Sequence, residues 1–225
     1  MRLRACVIAA LLAAAAPAFA QGGEAAAKRP LNSGFLGDYS KLKPAPDREG
    51  VVSYVDPSAK IGGYNKILLR PAEVYISPST SYKGVQPDAL KRMTDTFLGS
   101  FRKALTPGYE IVTAPGPDVL EVRTAISGIQ PVSAPMTPLD VLPAKVVFNL
   151  GRAAAGKAPQ VVEMQAEMEV LDPSGKRVAA AVANRKGDKT LTQGDQITWD
   201  HLQAISDYWA RNFRQRLDEL RKAPQ

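Results

Sequence analysis

The chain has 225 residues, with 29 lysines and arginines against 22 aspartates and glutamates, one histidine and one cysteine. Its length allows one sizeable domain or two small ones. The composition, with 45% apolar and 23% charged residues, excludes a collagen, a coiled coil and a chain that is disordered throughout. A single cysteine excludes an internal disulfide framework, and a single histidine excludes a histidine-pair metal site. We therefore expect no cofactor and no metal.

Residues 1–20 have the pattern of a secretory signal peptide. Arg2 and Arg4 precede a run of apolar residues over 7–16, which is too short to span a bilayer. The sequence Ala-Phe-Ala at 18–20 matches a signal peptidase site. We therefore expect cleavage after the last of these alanines and a mature protein in the periplasm or secreted.

The cysteine, Cys6, lies before this apolar run, whereas a lipidated cysteine follows such a run. We therefore expect no lipid anchor and, after cleavage, no transmembrane segment. Cleavage lowers the formal charge from +7 to +5 by removing Arg2 and Arg4. The remaining excess of positive charge is small, and the sequence has no basic stripe with interleaved aromatic residues. Nucleic acid is therefore not an expected partner.

Residues 21–57 are predicted to form a disordered leader and an extended arm, because they are rich in proline, glycine and charge and lack a sustained apolar period. The arm contains an apolar-aromatic block whose side chains could pin it onto the domain or contact a ligand or partner. These side chains are Phe35, Leu36, Tyr39 and Leu42. A single α+β domain is expected over 58–225.

The first half of the domain is predicted to contain a strand, a helix and a hairpin. The apolar residues of 64–76 indicate a strand kinked at Pro71, because proline has no N–H for the sheet. Apolar residues at spacings of three and four predict an amphipathic helix over 86–105. Residues 109–113 and 119–129 are predicted to pair as a hairpin, since the connection is dense in proline and glycine.

Residues 130–160 give no clear period, since five prolines interrupt them. A short helix over 144–154 is one interpretation. A long segment of this kind either wraps the domain or exposes an apolar flap to a partner or to lipid. Its candidate contact residues are Val141, Leu142, Val147 and Phe148.

The second half of the domain shows the clearest patterns. Apolar and polar residues alternate over 161–171, which predicts a strand with one buried face and one wet acidic face carrying Glu163, Glu167 and Glu169. A tight turn leads to a second strand over 177–184, with Val178, Ala180 and Val182 inward. Residues 198–221 are predicted to form a second amphipathic helix.

The predicted order is therefore β-α-ββ-ββ-α. It indicates an α+β fold with a mainly antiparallel sheet and two amphipathic helices packed on one face.

The chain has no nucleophile elbow, P-loop or dinucleotide fingerprint. The acidic strand could serve a glycosidase or a calcium ion, but a solvated sheet face is the favoured interpretation. His201 lies in the first turn of the last helix and has no suitably placed partner. We therefore expect that the protein is not an enzyme. A hydrolase would need a cleft that joins the acidic strand to His201 or Asp188.

Several short blocks of the sequence stand out when they are taken together in their order and spacing. The blocks are Ser33-Gly34-Phe35-Leu36-Gly37-Asp38-Tyr39-Ser40-Lys41-Leu42, Tyr109-Glu110-Ile111-Val112 with Pro115-Gly116-Pro117, Asp172-Pro173-Ser174-Gly175, Trp199-Asp200, Trp209-Ala210 and Arg214-Gln215-Arg216-Leu217. Together they resemble an uncharacterised bacterial envelope family catalogued as domain of unknown function 3313. The resemblance covers about residues 31 to 221. It implies a small envelope protein, often a lipoprotein, with no established activity and no catalytic or binding residues to transfer.

Two functions remain open from the sequence. The first is a non-enzymatic periplasmic domain that binds another envelope protein through residues 33–42 and 136–150. The second is a periplasmic small-ligand or lipid-binding protein in which residues 139–150 act as an apolar lid. The sequence does not indicate an oligomeric state.

Overall fold

The computed structural model describes residues 32–75, 87–134, 158–191 and 197–222, so the predicted signal peptide lies outside it. The described residues form an α+β fold, as predicted, with two α-helices and one mixed, mostly antiparallel sheet. A short 3₁₀ turn, Ile61–Gly63, precedes the third strand. The elements are β1 (Lys43–Pro44), β2 (Val51–Val55), β3 (Lys66–Leu69), β4 (Glu73–Val74), α1 (Pro87–Leu105), β5 (Glu110–Val112), β6 (Val119–Ser133), β7 (Gln160–Leu171), β8 (Arg177–Leu191) and α2 (Trp199–Lys222).

The strands lie in the order β1-β2-β8-β7-β6-β3-β5, and β4 pairs with β6 beyond the end of β3. β6, β7 and β8 form a long antiparallel centre, while β3 is parallel to both of its neighbours. The predicted hairpin of β5 with β6 is therefore wrong, because β3 inserts between them. The crossover through α1 makes this possible, since parallel strands need a long connection.

The sheet includes residues that the sequence assigned to the extended arm. β2 pairs antiparallel with β8, from Val51 opposite Ala183 to Val55 opposite Ala179. All five β2 residues are half-buried, so neither face of the strand is fully exposed to solvent. Its sequence, Val-Val-Ser-Tyr-Val, accordingly lacks the apolar-polar alternation that would predict a strand. Its β-branched and aromatic residues suit a half-buried strand.

Both helices pack on one face of the sheet. α1 buries Met93, Phe97, Phe101 and Leu105, as its apolar spacing predicts. Trp209 of α2 meets Phe97 edge-on, with ring centroids 6.4 Å apart, above Val162 and Met164 of β7. In the described parts of the chain, no helix is long and apolar enough to cross a membrane.

The β7–β8 hairpin forms at the predicted turn. The Asp172 carboxylate accepts hydrogen bonds from the backbone N–H groups of Ser174 and Lys176 and from the Ser174 hydroxyl. These bonds lower the pKa of Asp172, the Ser174 side chain having the largest effect. Gly175 has φ +81°, a conformation that glycine adopts without strain.

Thr124 is a buried polar residue on the helix-facing side of β6, between Val122 and Ile126. Within the described residues, its hydroxyl has no hydrogen-bond partner. The substitution Thr124→Val keeps the shape and removes the desolvated hydroxyl, so we expect the free energy of unfolding to rise by about 1 kcal/mol in urea titrations. Thr106→Val should give no gain, because the Thr106 hydroxyl donates to the Arg102 carbonyl at 2.8 Å. A destabilised Thr124→Val protein would contradict this assignment.

Candidate functional site

An apolar cavity of about 150 Å³ lies between α2 and the β2–β8 side of the sheet; we call it the groove. Alternate residues of the two strands form its floor. Because the strands are in register, Ala183 lies opposite Val51, Ala181 opposite Ser53 and Ala179 opposite Val55. The groove floor is therefore made of small and β-branched side chains: Val51, Ser53, Val55, Ala179, Ala181 and Ala183.

The groove exists because three successive helix-facing positions of β8 are alanines. Strands usually carry β-branched or aromatic residues, whose side chains fill the space below a helix. At Ala179, Ala181 and Ala183, each side chain is a single methyl group. α2 packs over β7 and β8, so the missing side-chain volume remains as open space between helix and sheet.

The lining of the groove extends along several turns of α2. Residues along its α2 wall run from Tyr208 through Asn212 to Leu220. The twelve steps from residue 208 to residue 220, at 1.5 Å each, span about 18 Å. Its inner end reaches Phe97 and Trp209 in the core. A small volume spread over this length suits a linear chain better than a ring system.

Two arginines line the groove, Arg48 from the turn between β1 and β2 and Arg216 from α2. Each pairs with a carboxylate close to it in the chain. Arg48 Nε lies 3.4 Å from Asp47, and Arg216 Nη1 lies 3.0 Å from Glu219. The lining of the groove therefore combines apolar side chains with two guanidinium groups.

The opposite face of the sheet is covered by residues 33–42, which we call the cover segment. Phe35 and Leu36 are buried, with 8% and 2% of their surface exposed, against Ala180 and Val182 of β8. Those two β8 residues were predicted to point inward, and they are buried, but on the face away from the helices. Phe35 and Leu36 are thus not accessible to a partner while the cover segment is docked.

Tyr39, the third predicted contact residue of the cover segment, holds a hydrogen-bond network together. Its hydroxyl accepts from the backbone N–H groups of Gly34 and Leu36 at 2.9 and 3.2 Å and donates to Glu167 Oε2 at 2.6 Å. Burial raises the pKa of Tyr39, and the hydrogen bond to Glu167 raises it further. Glu167 Oε1 also accepts from the backbone N–H of Ser33.

The sequence predicted that the acidic face of β7 is exposed to solvent, and this prediction is wrong for two of its glutamates. Glu167 and Glu169 are only 1% and 3% exposed, because the cover segment lies over them. Glu169 accepts from Arg123 at 2.7 Å and from Arg177 at 2.8 Å. Glu167 thus binds the cover segment directly, and Glu169 binds the two arginines that contact it. Glu163 is half-buried and accepts from Gln130.

Arg177 connects the buried carboxylates to the cover segment. Besides its bond to Glu169, its guanidinium donates to the backbone carbonyls of Leu36 and Asp38. Arg123 lies over the Phe35 ring at 5.6 Å from the centroid. Glu169 therefore binds two arginines. Arg123 in turn contacts the Phe35 ring, and Arg177 donates hydrogen bonds to backbone carbonyls of the cover segment.

The structure does not bring His201 to the acidic strand. His201 Nδ1 accepts the backbone N–H of Thr198 at 3.1 Å and lies 2.7 Å from its hydroxyl, so the imidazole serves the first turn of α2. Asp188 lies on the far part of β8, beyond the β2 pairing. Across the described ranges, no cluster of three His, Cys, Asp or Glu side chains could hold a metal ion.

The other predicted contact residues, Val141, Leu142, Val147 and Phe148, lie outside the described residues, as does the predicted lid at 139–150. Sequence reasoning missed the groove altogether. The available signal was the run Ala179-Ala180-Ala181 followed by Ala183, because small residues at alternate strand positions leave space under a helix.

The family described as "Protein of unknown function (DUF3313)" matches residues 31–213. The uncharacterized lipoprotein YdcL of Escherichia coli K12 is 26% identical over 180 residues, which cover 78% of this chain and 80% of YdcL. This relative is named a lipoprotein, whereas the position of Cys6 predicts that this chain has no lipid anchor.

Two solved structures resemble the chain at low sequence identity. A PelC dodecamer from Paraburkholderia phytofirmans is 13% identical with a TM-score of 0.37, and the match covers 78% of this chain and 98% of PelC. A putative neuraminyllactose-binding hemagglutinin homolog from Helicobacter pylori is 9% identical with a TM-score of 0.43, over 81% of this chain and 97% of that protein.

Proposed function

The chain belongs to the family "Protein of unknown function (DUF3313)", and from this premise we propose that it is a non-enzymatic protein of the bacterial envelope that binds a linear apolar ligand in the groove. The signal-peptide pattern at residues 1–20 and the lipoprotein name of YdcL support the envelope location. The envelope is also where acyl chains are abundant.

The shape and lining of the groove are the observation that carries this proposal. Apolar side chains line most of it, and a volume of about 150 Å³ extends along about 18 Å of α2. An apolar cavity of similar size in another protein stays dry and binds small hydrocarbons. Transfer of each methylene group from water to such a space stabilises binding by about 0.8 kcal/mol.

A protein partner is the other function that the sequence left open. Its support from the cover segment is weak, because Phe35 and Leu36 are buried and the Tyr39 hydroxyl is occupied by hydrogen bonds. Its remaining contact residues lie outside the described residues. The groove, by contrast, is lined by 23 described residues, and its apolar lining favours a small ligand over a protein.

The test is a titration of the purified mature protein with decan-1-ol, followed by the fluorescence of Trp209, which borders the groove. We expect a saturable change and a higher melting temperature, since a ligand that binds only the folded state stabilises it. Ala181→Leu fills the middle of the groove and should weaken binding at least tenfold.

Ala204→Leu is the matched control, because it adds the same atoms to α2 at a half-exposed position outside the groove. It should bind decan-1-ol like the unmodified protein. The melting temperature of Ala181→Leu without ligand shows whether that variant folds. If a folded Ala181→Leu protein binds decan-1-ol as well as the control does, the groove is not the site and the proposal is wrong.

A further inference from the structure

The charged residues around the groove are unevenly placed. Of the described residues that border it, three are charged: Arg48, Glu167 and Arg216. The Glu167 carboxylate is on the other face of the sheet, where it bonds to Tyr39 and to the backbone of Ser33. The only charges that the described part of the chain presents to the groove are therefore two guanidinium groups.

The carboxylates that pair with these arginines are not among the described residues that line the groove. Asp47 and Glu219 do not border it, and their side chains are 69% and 47% exposed, whereas those of Arg48 and Arg216 are 25% and 43% exposed. Each arginine uses one N–H for its carboxylate. Since a guanidinium has five N–H donors, each retains donors for a further anion.

Each of the two arginines affects the carboxylate that pairs with the other. The hydrogen bond from Arg216 lowers the pKa of Glu219, with contributions from Gln215 and from the charge on Arg48. The backbone N–H of Asp47 lowers the pKa of that carboxyl, with contributions from Arg48 and from Arg216. Two guanidinium groups that line the same groove therefore act on one local set of charges.

We propose that Arg48 and Arg216 bind the anionic head group of the ligand, so that the ligand is a single acyl or alkyl chain ending in a carboxylate or a phosphate. This inference rests on the proposed function, because it places the apolar part of the ligand in the groove. Arginine suits both head groups, since its planar N–H groups match the oxygens of carboxylate and phosphate.

The experiment compares decanoate, decyl phosphate and decan-1-ol, which share one chain and differ in the head group. We expect both anions to bind at least tenfold more tightly than the alcohol, because hydrogen bonds to charged groups are the stronger ones. The double variant Arg48→Gln, Arg216→Gln should lose this preference and keep its affinity for decan-1-ol. The tighter of the two anions identifies the head group.

The control is the double variant Arg102→Gln, Lys103→Gln, which removes the same charge from exposed positions of α1. It should keep the preference for anions. Equal binding of acid and alcohol, or an unchanged preference in the Arg48 and Arg216 variant, overturns the head-group assignment while leaving the groove proposal standing. Unchanged binding of all three probes by Ala181→Leu overturns the groove proposal instead.

Discussion

Replacing Glu169 by alanine is expected to lower the free energy of unfolding by about 3 kcal/mol. The Glu169 carboxylate is buried and accepts from both Arg123 and Arg177. Its removal takes the buried counter-charge from both arginines, leaves Arg123 with only an ion pair to Glu73 at 3.5 Å, and leaves a space under the cover segment. Both arginine side chains retain partial access to water, at 38% and 28% exposure, which places the effect at the lower end of the range for broken buried ion pairs.

Urea unfolding of Glu169→Ala measures this loss. Glu49→Ala is the control, because Glu49 is exposed in the turn before β2 and should change stability by no more than about 0.5 kcal/mol. If the two variants unfold at the same urea concentration, the ion-pair network does not hold the cover segment as described.

Tyr39→Phe is expected to cost roughly 2–3 kcal/mol of unfolding free energy, although it removes a single oxygen atom. That oxygen accepts two backbone N–H groups and donates to the buried Glu167 carboxylate. Without it, the carboxylate retains one described donor, the Ser33 N–H, and both amides lose their acceptor. We also expect faster hydrogen exchange at the amides of Gly34 and Leu36.

Tyr54→Phe provides the matched comparison, because Tyr54 lies on the same face of the sheet and its hydroxyl makes no hydrogen bond within the described residues. Its unfolding free energy should change by no more than about 0.5 kcal/mol. A Tyr39→Phe protein that is as stable as Tyr54→Phe, with unchanged exchange at both amides, would falsify the network.

Local patterns predicted the parts of the fold that depend on neighbouring residues. The spacing of Phe97 and Phe101 predicted α1, and the alternation over 161–171 with the Asp172 turn predicted the β7–β8 hairpin. Long-range pairing was not predictable in this way. β3 inserts between β5 and β6, and β2 pairs with β8 without any alternation of its own.

The functional surfaces illustrate the same limit. Alternation assigned Glu167 and Glu169 to one face of β7, but it could not show that residues 33–42 cover that face. The groove depends on side-chain volume that is missing between Ala181 and α2, and such a property arises only when distant segments pack together. Sequence reasoning proposed a lipid-binding function, but it placed the apolar contact at residues 139–150.

The most direct test of ligand binding in the groove uses methyl-labelled alanine and NMR during a titration with decanoate. Ala181 of β8 borders the groove, whereas Ala125 of β6 packs with the cover segment and does not border the groove. We predict saturable shifts at the methyl groups of Ala179, Ala181 and Ala183, with Ala125 unchanged. Equal shifts at Ala125 and Ala181, or none at either, would contradict binding in the groove.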